Sequence, residues 1–569
     1  MKICITSLYT DEIKNETYWA TLNKKRYCEK YDITYRFYHG RASTRHSQWD
    51  KIQCILQNIL EFDYVIWMDA DTIINNFDIS FYDIINNNKN YDAIFCKDVC
   101  YAEGVNHLLV NTGVMIFKNT PWSRQLLIDT WNVVDEYNIN KLEKHSYDGF
   151  PHEQGILCNI LLKENENKFI THSSSLFNEH PNSSNDNTFV IHFMGSRENE
   201  TKLTEFVEKT KRINEKLYID NNETFNEIIL NKHKICLVSH YTEHIKNVAD
   251  ISVPNKKEYC NKHGYSLEIN EGRLSNRHPA WDKIKFLQTL LDKDYDYLVW
   301  VDNDAILMHQ DYRFDFICSN YSDKNLIICS EPGQDISHLD IDTDFNKLEN
   351  LRIVNTGVFI LKNNDWAKQF LEKCWNTTTT TNTGQNNSHF TVDDDDINYD
   401  LWPFEQGVIH VVLSKKNKED YIILNNKIMN SFYYEYKRFE FICHFTGHGG
   451  NNTLINDFIK MMTKKNYDSV KIKSDNSKVL FKDGYALLSY DIYKTYNDTL
   501  YFHFTWDVSN SGLKYLSHEF KVITKKYDKE ISFNSMFEGS FEIGQLIDVK
   551  IMHTYEYYGE KNWYDLIYL

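Results

Sequence analysis

The sequence is short of the two residues that most often interrupt regular structure, with 7 prolines and 20 glycines in 569 residues. It has no apolar stretch long enough to span a bilayer, and the opening MKICITSLYTDEIK reaches charged residues too soon for a secretory leader. A soluble, cytoplasmic protein is the expectation. Basic residues are outnumbered, 63 Lys and Arg against 81 Asp and Glu for a net charge of −18, and no basic run stands out. That balance argues against a nucleic-acid or anionic-membrane partner. The twelve cysteines show neither CxxC spacing nor a disulfide framework, so buried free thiols in a reducing compartment are expected. Asn, Ile, Lys and Tyr are abundant in the manner of AT-rich coding. Asn-x-Ser/Thr triplets such as those at Asn199 and Asn376 therefore carry no weight as glycosylation sites.

What is present is a long internal repeat. KICITSLYTDEIK at 2–14 returns as KICLVSHYTEHIK at 234–246, and GRASTRHSQWDKI at 40–52 as GRLSNRHPAWDKI at 272–284. YVIWMDADTIINN at 64–76 returns as YLVWVDNDAILMH at 297–309, and VNTGVMIFKN at 110–119 as VNTGVFILKN at 354–363. Glu-Gln-Gly recurs at 153–155 and 405–407, and HFMG at 192–195 becomes HFTG at 444–447. The spacing widens along the second copy, which places its insertions at about 333–350 and 377–397. The period is far too long for a solenoid and marks a duplicated domain.

Within each copy, strand-like and helix-like segments alternate, which implies an α/β unit with a mostly parallel sheet and ligands at the carboxyl ends of its strands. Ser7 and Ser239 end the first strand of each copy. Residues 467–569 repeat nothing and alternate apolar with polar positions, as in LYFHFTWDV, which reads as a small antiparallel β-sandwich. The expected domains are 1–232, 233–466 and 467–569.

Asp-x-Asp is a weak signal alone, and a strand-end turn with solvated acids would explain one occurrence. Twice at corresponding strand ends, Asp69 with Asp71 and Asp302 with Asp304 present paired carboxylates suited to Mg²⁺ or Mn²⁺ beside a phosphate. His192 and His444 close short apolar strands; an added imidazole favours Mn²⁺, although a strand histidine is also a common core residue. Arg41, Arg45 and Lys51, repeated as Arg273, Arg277 and Lys283, could hold a diphosphate. For Lys51 a phosphate contact and a solvated helix face are both open. Ser47 with Asp50 resembles a capping box, and Trp49 reads as core. Gly113 and Gly357, in Asn111-Thr112-Gly113 and Asn355-Thr356-Gly357, would let a sugar approach the backbone, or mark a turn or bulge. Glu153-Gln154 and Glu405-Gln406 open a helix, where an acid can be a dipole partner or can orient an acceptor hydroxyl.

Taken in order, Trp-x-Lys-Ile, Trp-x-Asp-x-Asp, Asn-x-Gly, Glu-Gln and His-Phe-x-Gly resemble glycosyltransferase family 34 across both repeats. The resemblance implies two tandem GT-A folds that use a nucleotide sugar and Mn²⁺ (or Mg²⁺) with retention at the anomeric carbon. It makes Asp69, Asp71 and His192, and Asp302, Asp304 and His444, the metal ligands. It sets Gln154 and Gln406 beneath the anomeric centre with Glu153 and Glu405 beside them. It lines the donor crevice with Ser7, Tyr9, Arg45, Lys51, Asn111, Gly113 and Gly195, and with Ser239, Tyr241, Arg277, Lys283, Asn355, Gly357 and Gly447. The expected activity is a tandem, bifunctional transfer from a UDP-hexose, UDP-xylose or GDP-mannose class donor to a glycan or glycoprotein acceptor. One active copy beside a degenerate one, or a non-catalytic sugar-binding protein, are the alternatives.

Overall fold

The segment YVIWM, Tyr64–Met68, is apolar at every position and buried at every position, as a strand covered on both faces must be. In the computed structural model it lies in the middle of a seven-stranded sheet. The order is Phe169–His172, Ala93–Lys97, Val110–Lys118, Tyr64–Met68, Ile3–Tyr9, Thr34–Gly40 and Ile228–Leu230. Only Val110–Lys118 runs antiparallel to its neighbours. The second repeat rebuilds this plan in six strands, ordered Ser266–Glu271, Ile235–Tyr241, Tyr297–Val301, Val354–Lys362, Leu326–Ser330 and Tyr421–Leu424. The structure describes residues 1–43, 45–98, 109–136, 152–161, 167–194, 200–219, 227–230, 233–332, 354–377, 404–433 and 439–446. It also describes a few single residues around these, and strands at 380–382, 389–391 and between 470 and 568.

Each copy bulges at the same place. Phe95 pairs with Met115 and the next residue, Cys96, with Asn111; Ile328 and Cys329 make the same jump across Phe359 and Asn355. Thr112–Val114 and Thr356–Val358 are therefore left unpaired on that side, and on the other side the backbone N–H of Asp69 reaches the Gly113 carbonyl at 2.7 Å. Beside the main sheet a short ribbon pairs Thr72–Ile74 antiparallel with Val190–His192, and its counterpart pairs Ala305–Leu307 with Ile442–His444.

The long helix Lys14–Tyr31 follows a 3-10 turn at Asp11–Ile13, and Lys246–His263 follows one at Glu243–Ile245. The residue that ends each adopts a left-handed conformation, Gly264 at φ 72° and Asp32 at φ 51°. The segment Asn-Lys-Lys-x-Tyr-Cys, at 23–28 and again at 255–260, clamps the ribbon from this helix. Asn23 donates to the Ile74 carbonyl and accepts from its N–H at 2.9 and 2.8 Å, and Asn255 treats Leu307 in the same way.

By contact the chain divides into two compact units, Met1–Ile459 and Lys460–Leu569. Both repeats lie in the first, and one core cluster takes in Val65 and Phe117 from one repeat and Leu237 and Val299 from the other. The repeats meet through unlike faces. Arg36, buried against Asn58 and Glu61 at 2.6 Å each, also donates to the Tyr321 hydroxyl of the second repeat at 2.9 Å, and that hydroxyl donates to Glu61 at 2.6 Å. Gln57 bridges the Asp311 carbonyl and the Arg313 N–H, and Tyr38 donates to Asn320. The position of Arg36 is Glu268 in the second repeat, where it pairs within its own repeat with Lys293.

The second unit forms two four-stranded antiparallel sheets between Val470 and Tyr568, as the alternation implies; its side chains lie outside the described residues. Among the described residues no helix is long and apolar enough to cross a membrane.

The Arg36 contact makes a stability prediction. Removing the guanidinium leaves the partly buried Glu61 carboxylate with only Lys2, at 3.4 Å, and the Tyr321 hydroxyl, so Arg36→Met should lower the unfolding free energy of the repeats by about 2–4 kcal/mol. Arg36→Met with Glu61→Gln should recover most of that loss in urea unfolding followed by tryptophan fluorescence. A double variant no more stable than the single one would show that the charge pair is not what holds this face.

Candidate active site

Ribbon register makes the site. Because Thr72 faces His192 across the ribbon, the imidazole at the end of one strand arrives beside the carboxylates at the start of the other. His192 Nε2 lies 3.7 Å from Asp69 Oδ2 and 3.5 Å from Asp71 Oδ1. In the second copy Ala305 faces His444, whose Nε2 is 3.9 Å from Asp302 and 3.3 Å from Asp304. Each trio offers one ligand atom per residue, all within 4.8 Å of one another. Two hard oxygens with one imidazole nitrogen suit Mn²⁺, or Mg²⁺ with less gain from the imidazole. Burial disfavours an imidazolium at His444, yet Asp304 and Asp302 outweigh it and raise the pKa; a cation in the same place satisfies the same carboxylates.

Gly113 and Gly357 are explained by these histidines. A Cβ at Gly113 would lie 2.1 Å from His192 Cε1, and one at Gly357 equally close to His444 Cε1. Here the expected close approach of a sugar to the backbone is replaced by the ring of the histidine itself, lying on a strand residue that has no side chain. The bulge alternative is present as well.

Lys51 sits at the centre. Its helix, Asp50–Ile59, begins directly after the buried Trp49, and the ammonium is buried, 3.1 Å from Asp69 Oδ1 and 3.0 Å from Glu153 Oε1. The solvated helix face is thereby excluded. Lys283 repeats the bridge at 3.2 Å to Asp302 and 2.9 Å to Glu405. Burial opposes the charge on Lys51, but Asp69 and Glu153 more than offset it and raise its pKa. Burial also raises the Glu153 carboxyl, with Lys51 pulling the other way. Glu153 is therefore no exposed dipole partner; Thr112 Oγ1 donates to it at 2.9 Å, as Thr356 does to Glu405 at 3.0 Å. The residue before each glutamate, His152 or Phe404, takes a left-handed φ of 48° or 53° and stacks on His46 or His278.

Three pairs of residues not anticipated from the sequence complete the shell. Lys24 donates to the Asp69 carbonyl at 2.8 Å and Lys256 to that of Ala305 at 3.0 Å; burial pulls each ammonium down to about 7, against the nearby aspartates. The Asp98 carboxylate accepts from Asn111 and Gln154 at 2.8 and 3.1 Å, and Glu331 from Asn355 and Gln406 at 3.2 and 2.6 Å. Asn178 and Asn430 donate to the Asn111 and Asn355 side-chain carbonyls at 2.8 and 2.7 Å. The repeated Asn-Lys-Lys-x-Tyr-Cys was a readable signal for the lysines.

Other expected residues serve the frame. Ser7 and Ser239 donate to the Met68 and Val301 carbonyls at 2.7 Å each, tying strand ends together. Tyr9 stacks on Phe37 and His39, and Tyr241 donates to Glu271. Arg41 and Arg273 hold Asp50 and Asp282. Arg45 and Arg277 lie over Trp131 and Trp375, at 3.7 and 3.8 Å from the ring centres. Asp50 takes hydrogen bonds from Arg41 and Ser43, while His46 caps the turn at Ser47–Trp49, so the expected Ser47–Asp50 capping box is not formed. Gly195 and Gly447 lie outside the described residues.

The cradle under the histidine is testable on its own. Gly113→Ala should displace the His192 ring, weaken Mn²⁺ binding at the first site by roughly 10–100-fold and leave the second site intact. Calorimetric titration with Mn²⁺ reads both sites in one experiment; two unchanged sites would mean that the ring does not contribute a ligand.

Comparison with known proteins fits this geometry. Residues 9–203 and 228–453 each match the model of the galactosyl transferase GMA12/MNN10 family. Among similar proteins, the probable alpha-1,6-mannosyltransferase MNN10 of Saccharomyces cerevisiae is 26% identical over 144 residues, which is 22% of this chain and 36% of the relative. Xyloglucan 6-xylosyltransferase 2 of Arabidopsis thaliana is 30% identical over 124 residues, 21% of this chain and 24% of the relative. The chain thus spans about a third or less of the length of these relatives. A solved glycosyltransferase involved in glycosylating the major capsid of PBCV-1 aligns at 14% identity with a TM-score of 0.29, covering 37% of this chain and all of that one. With two matches that together take in most of its length, the chain belongs to the galactosyl transferase GMA12/MNN10 family.

Proposed function

We propose that each repeat is a metal-dependent, retaining glycosyltransferase centre. Each would move a sugar from a nucleotide-sugar donor of the UDP-hexose, UDP-xylose or GDP-mannose class to a glycan or glycoprotein acceptor. The observation that carries this reading is the duplicated arrangement of two aspartates and a histidine, linked through one buried lysine to a Glu-Gln pair. A sugar-binding module has no use for that arrangement. Both copies keep every charged member of it, which favours two active centres over one active and one degenerate.

A bound Mn²⁺ or Mg²⁺ supplies Lewis-acid stabilisation of the leaving diphosphate. The protein's own groups set the rest. Asp69, Asp71 and His192 would hold the cation, with Asp302, Asp304 and His444 doing the same in the second copy. Lys51 bridges Asp69 and Glu153 in a buried setting, which sets Glu153 beside its counter-charge and next to the position where positive charge would develop. The Gln154 and Gln406 amide nitrogens are held by Asp98 and Glu331, and their side-chain carbonyls accept from Thr112 Oγ1 at 3.3 Å and from the Thr356 N–H at 3.1 Å; a carbonyl so oriented would turn its remaining electron density towards an electron-poor anomeric carbon. His152 against Phe404 beside these pairs favours different donors or acceptors at the two centres.

Nucleoside diphosphate release across a donor panel with Mn²⁺ tests the reading directly, and excess EDTA should abolish it. Asp71→Asn and Asp304→Asn should each remove one transfer, by about 100-fold or more, and spare the other; the double variant should lose both. Full turnover in EDTA sinks the metal reading. An unchanged product spectrum for Asp304→Asn means that the second centre is degenerate.

A further inference from the structure

An unbroken line of hydrogen bonds joins the candidate catalytic amide of the first repeat to its metal-site imidazole. Gln154 Nε2 donates to Asp98 Oδ2 at 3.1 Å, and Asn111 Nδ2 donates to the same oxygen at 2.8 Å. Asn111 Oδ1 accepts from the Gly113 N–H at 2.9 Å and from Asn178 Nδ2 at 2.8 Å. Asn178 Oδ1 then meets His192 Nδ1 at 2.9 Å. Asp98, Asn111, Asn178 and His192 are all buried, so water does not substitute for a missing link.

The direction of every link follows from one end. An ionised carboxylate only accepts, so both amides must turn their NH₂ groups towards Asp98. The Asn111 carbonyl is then aimed away, where the Gly113 N–H independently demands an acceptor. That fixes the Asn178 NH₂ towards Asn111, and hence the Asn178 carbonyl towards His192. A carbonyl facing Nδ1 requires a hydrogen there. In a neutral ring the hydrogen on Nδ1 leaves Nε2 with its lone pair, and Nε2 is the atom that faces Asp69 and Asp71.

We propose that Asp98 is a positioning residue which, through Asn111 and Asn178, sets the metal-binding tautomer of His192 while it also orients the Gln154 amide. The inference rests on the metal reading given above and adds to it a link between the two halves of the centre. The second repeat builds the same relay with a longer acid. Glu331 receives Gln406 and Asn355, Asn355 accepts from the Gly357 N–H at 2.8 Å, and Asn430 donates to Asn355. Its last link is open, since among the described residues neither Asn430 Oδ1 nor His444 Nδ1 has a hydrogen-bond partner. The duplicated chain therefore shows that a glutamate at this position can receive both amides, although its relay stops at Asn430, one link short of the histidine.

The test uses the full-length protein carrying Asp304→Asn, so that the first site dominates Mn²⁺ binding. Free Mn²⁺ is followed by electron paramagnetic resonance, and imidazole coordination by the ¹⁴N modulation of the bound ion. Asp98→Asn can donate as well as accept, which removes the single direction of the relay. It should weaken Mn²⁺ binding roughly 10–100-fold and diminish the ¹⁴N modulation. Asp98→Glu should restore both to within about threefold, which a merely space-filling role for Asp98 does not foresee. If Asp98→Asn does not fold, Asn178→Leu, which leaves Asp98 and Gln154 in place, should show the same two losses. Unchanged affinity and modulation in either folded variant overturns the relay. A parent protein that binds Mn²⁺ without any ¹⁴N modulation overturns the histidine ligand, and the relay with it.

Discussion

Three carboxylates, Asp69 and Asp71 partly buried and Glu153 fully so, share one crevice, and the structure around them is arranged to keep their charge compensated. At the effective dielectric of a protein interior, unscreened like charges a few ångströms apart repel by several kcal/mol. Lys51 answers from one side by bridging Asp69 and Glu153, and Lys24 answers from beneath through the Asp69 carbonyl. His192 closes the third side. Lys283 and His444 repeat this geometry, and Lys256 enters from the corresponding helix but donates to the Ala305 carbonyl. The local backbone is shaped for it. The bulge sets Thr112 and Gly113 against Asp69 and Glu153, and the glycine leaves a flat surface on which the imidazole lies.

Much of this was legible in the sequence because duplication acts as its own control. An apolar run ending in Asp-x-Asp has several explanations once and far fewer twice. The mostly parallel sheet, the paired acids at its strand ends, the histidine and the burial of Trp49 follow from patterns of period and position, whereas the order of the strands does not. Lys24 and Lys256 escaped because a lysine on a helix reads as solvated unless something signals what lies beneath it. Asp98 and Glu331 escaped for a different reason: the two copies use different residues, so the repeat does not align them as an identity. The meaning of Gly113 was hidden because its neighbour, His192, is 79 residues away and reaches it only through a ribbon whose register the sequence does not state.

The copies differ around the charges more than among them. Asp98 becomes Glu331, His152 becomes Phe404, and the histidine-to-asparagine bond of the first site is open in the second. The charged members are held by mutual electrostatic need, since loss of any one leaves another buried without its counterion. Residues one step out carry no such obligation and are free to diverge, which makes them the place where two centres of common origin acquire separate behaviour.

The contact between the repeats has a topological consequence. Two bodies of the same shape joined through unlike faces leave the same pair of faces open at their ends, and added copies would close into a ring or run on as a filament. The receiving face built on Arg36 has no equivalent in the second repeat, where that position is Glu268 and is already engaged with Lys293. The inserting face fares no better, because the position of Tyr321 in the first repeat is Asn88, whose side chain is turned back on the Ile84 carbonyl of its own helix. The series is therefore terminated chemically at both ends, and the tandem is a finite object of two.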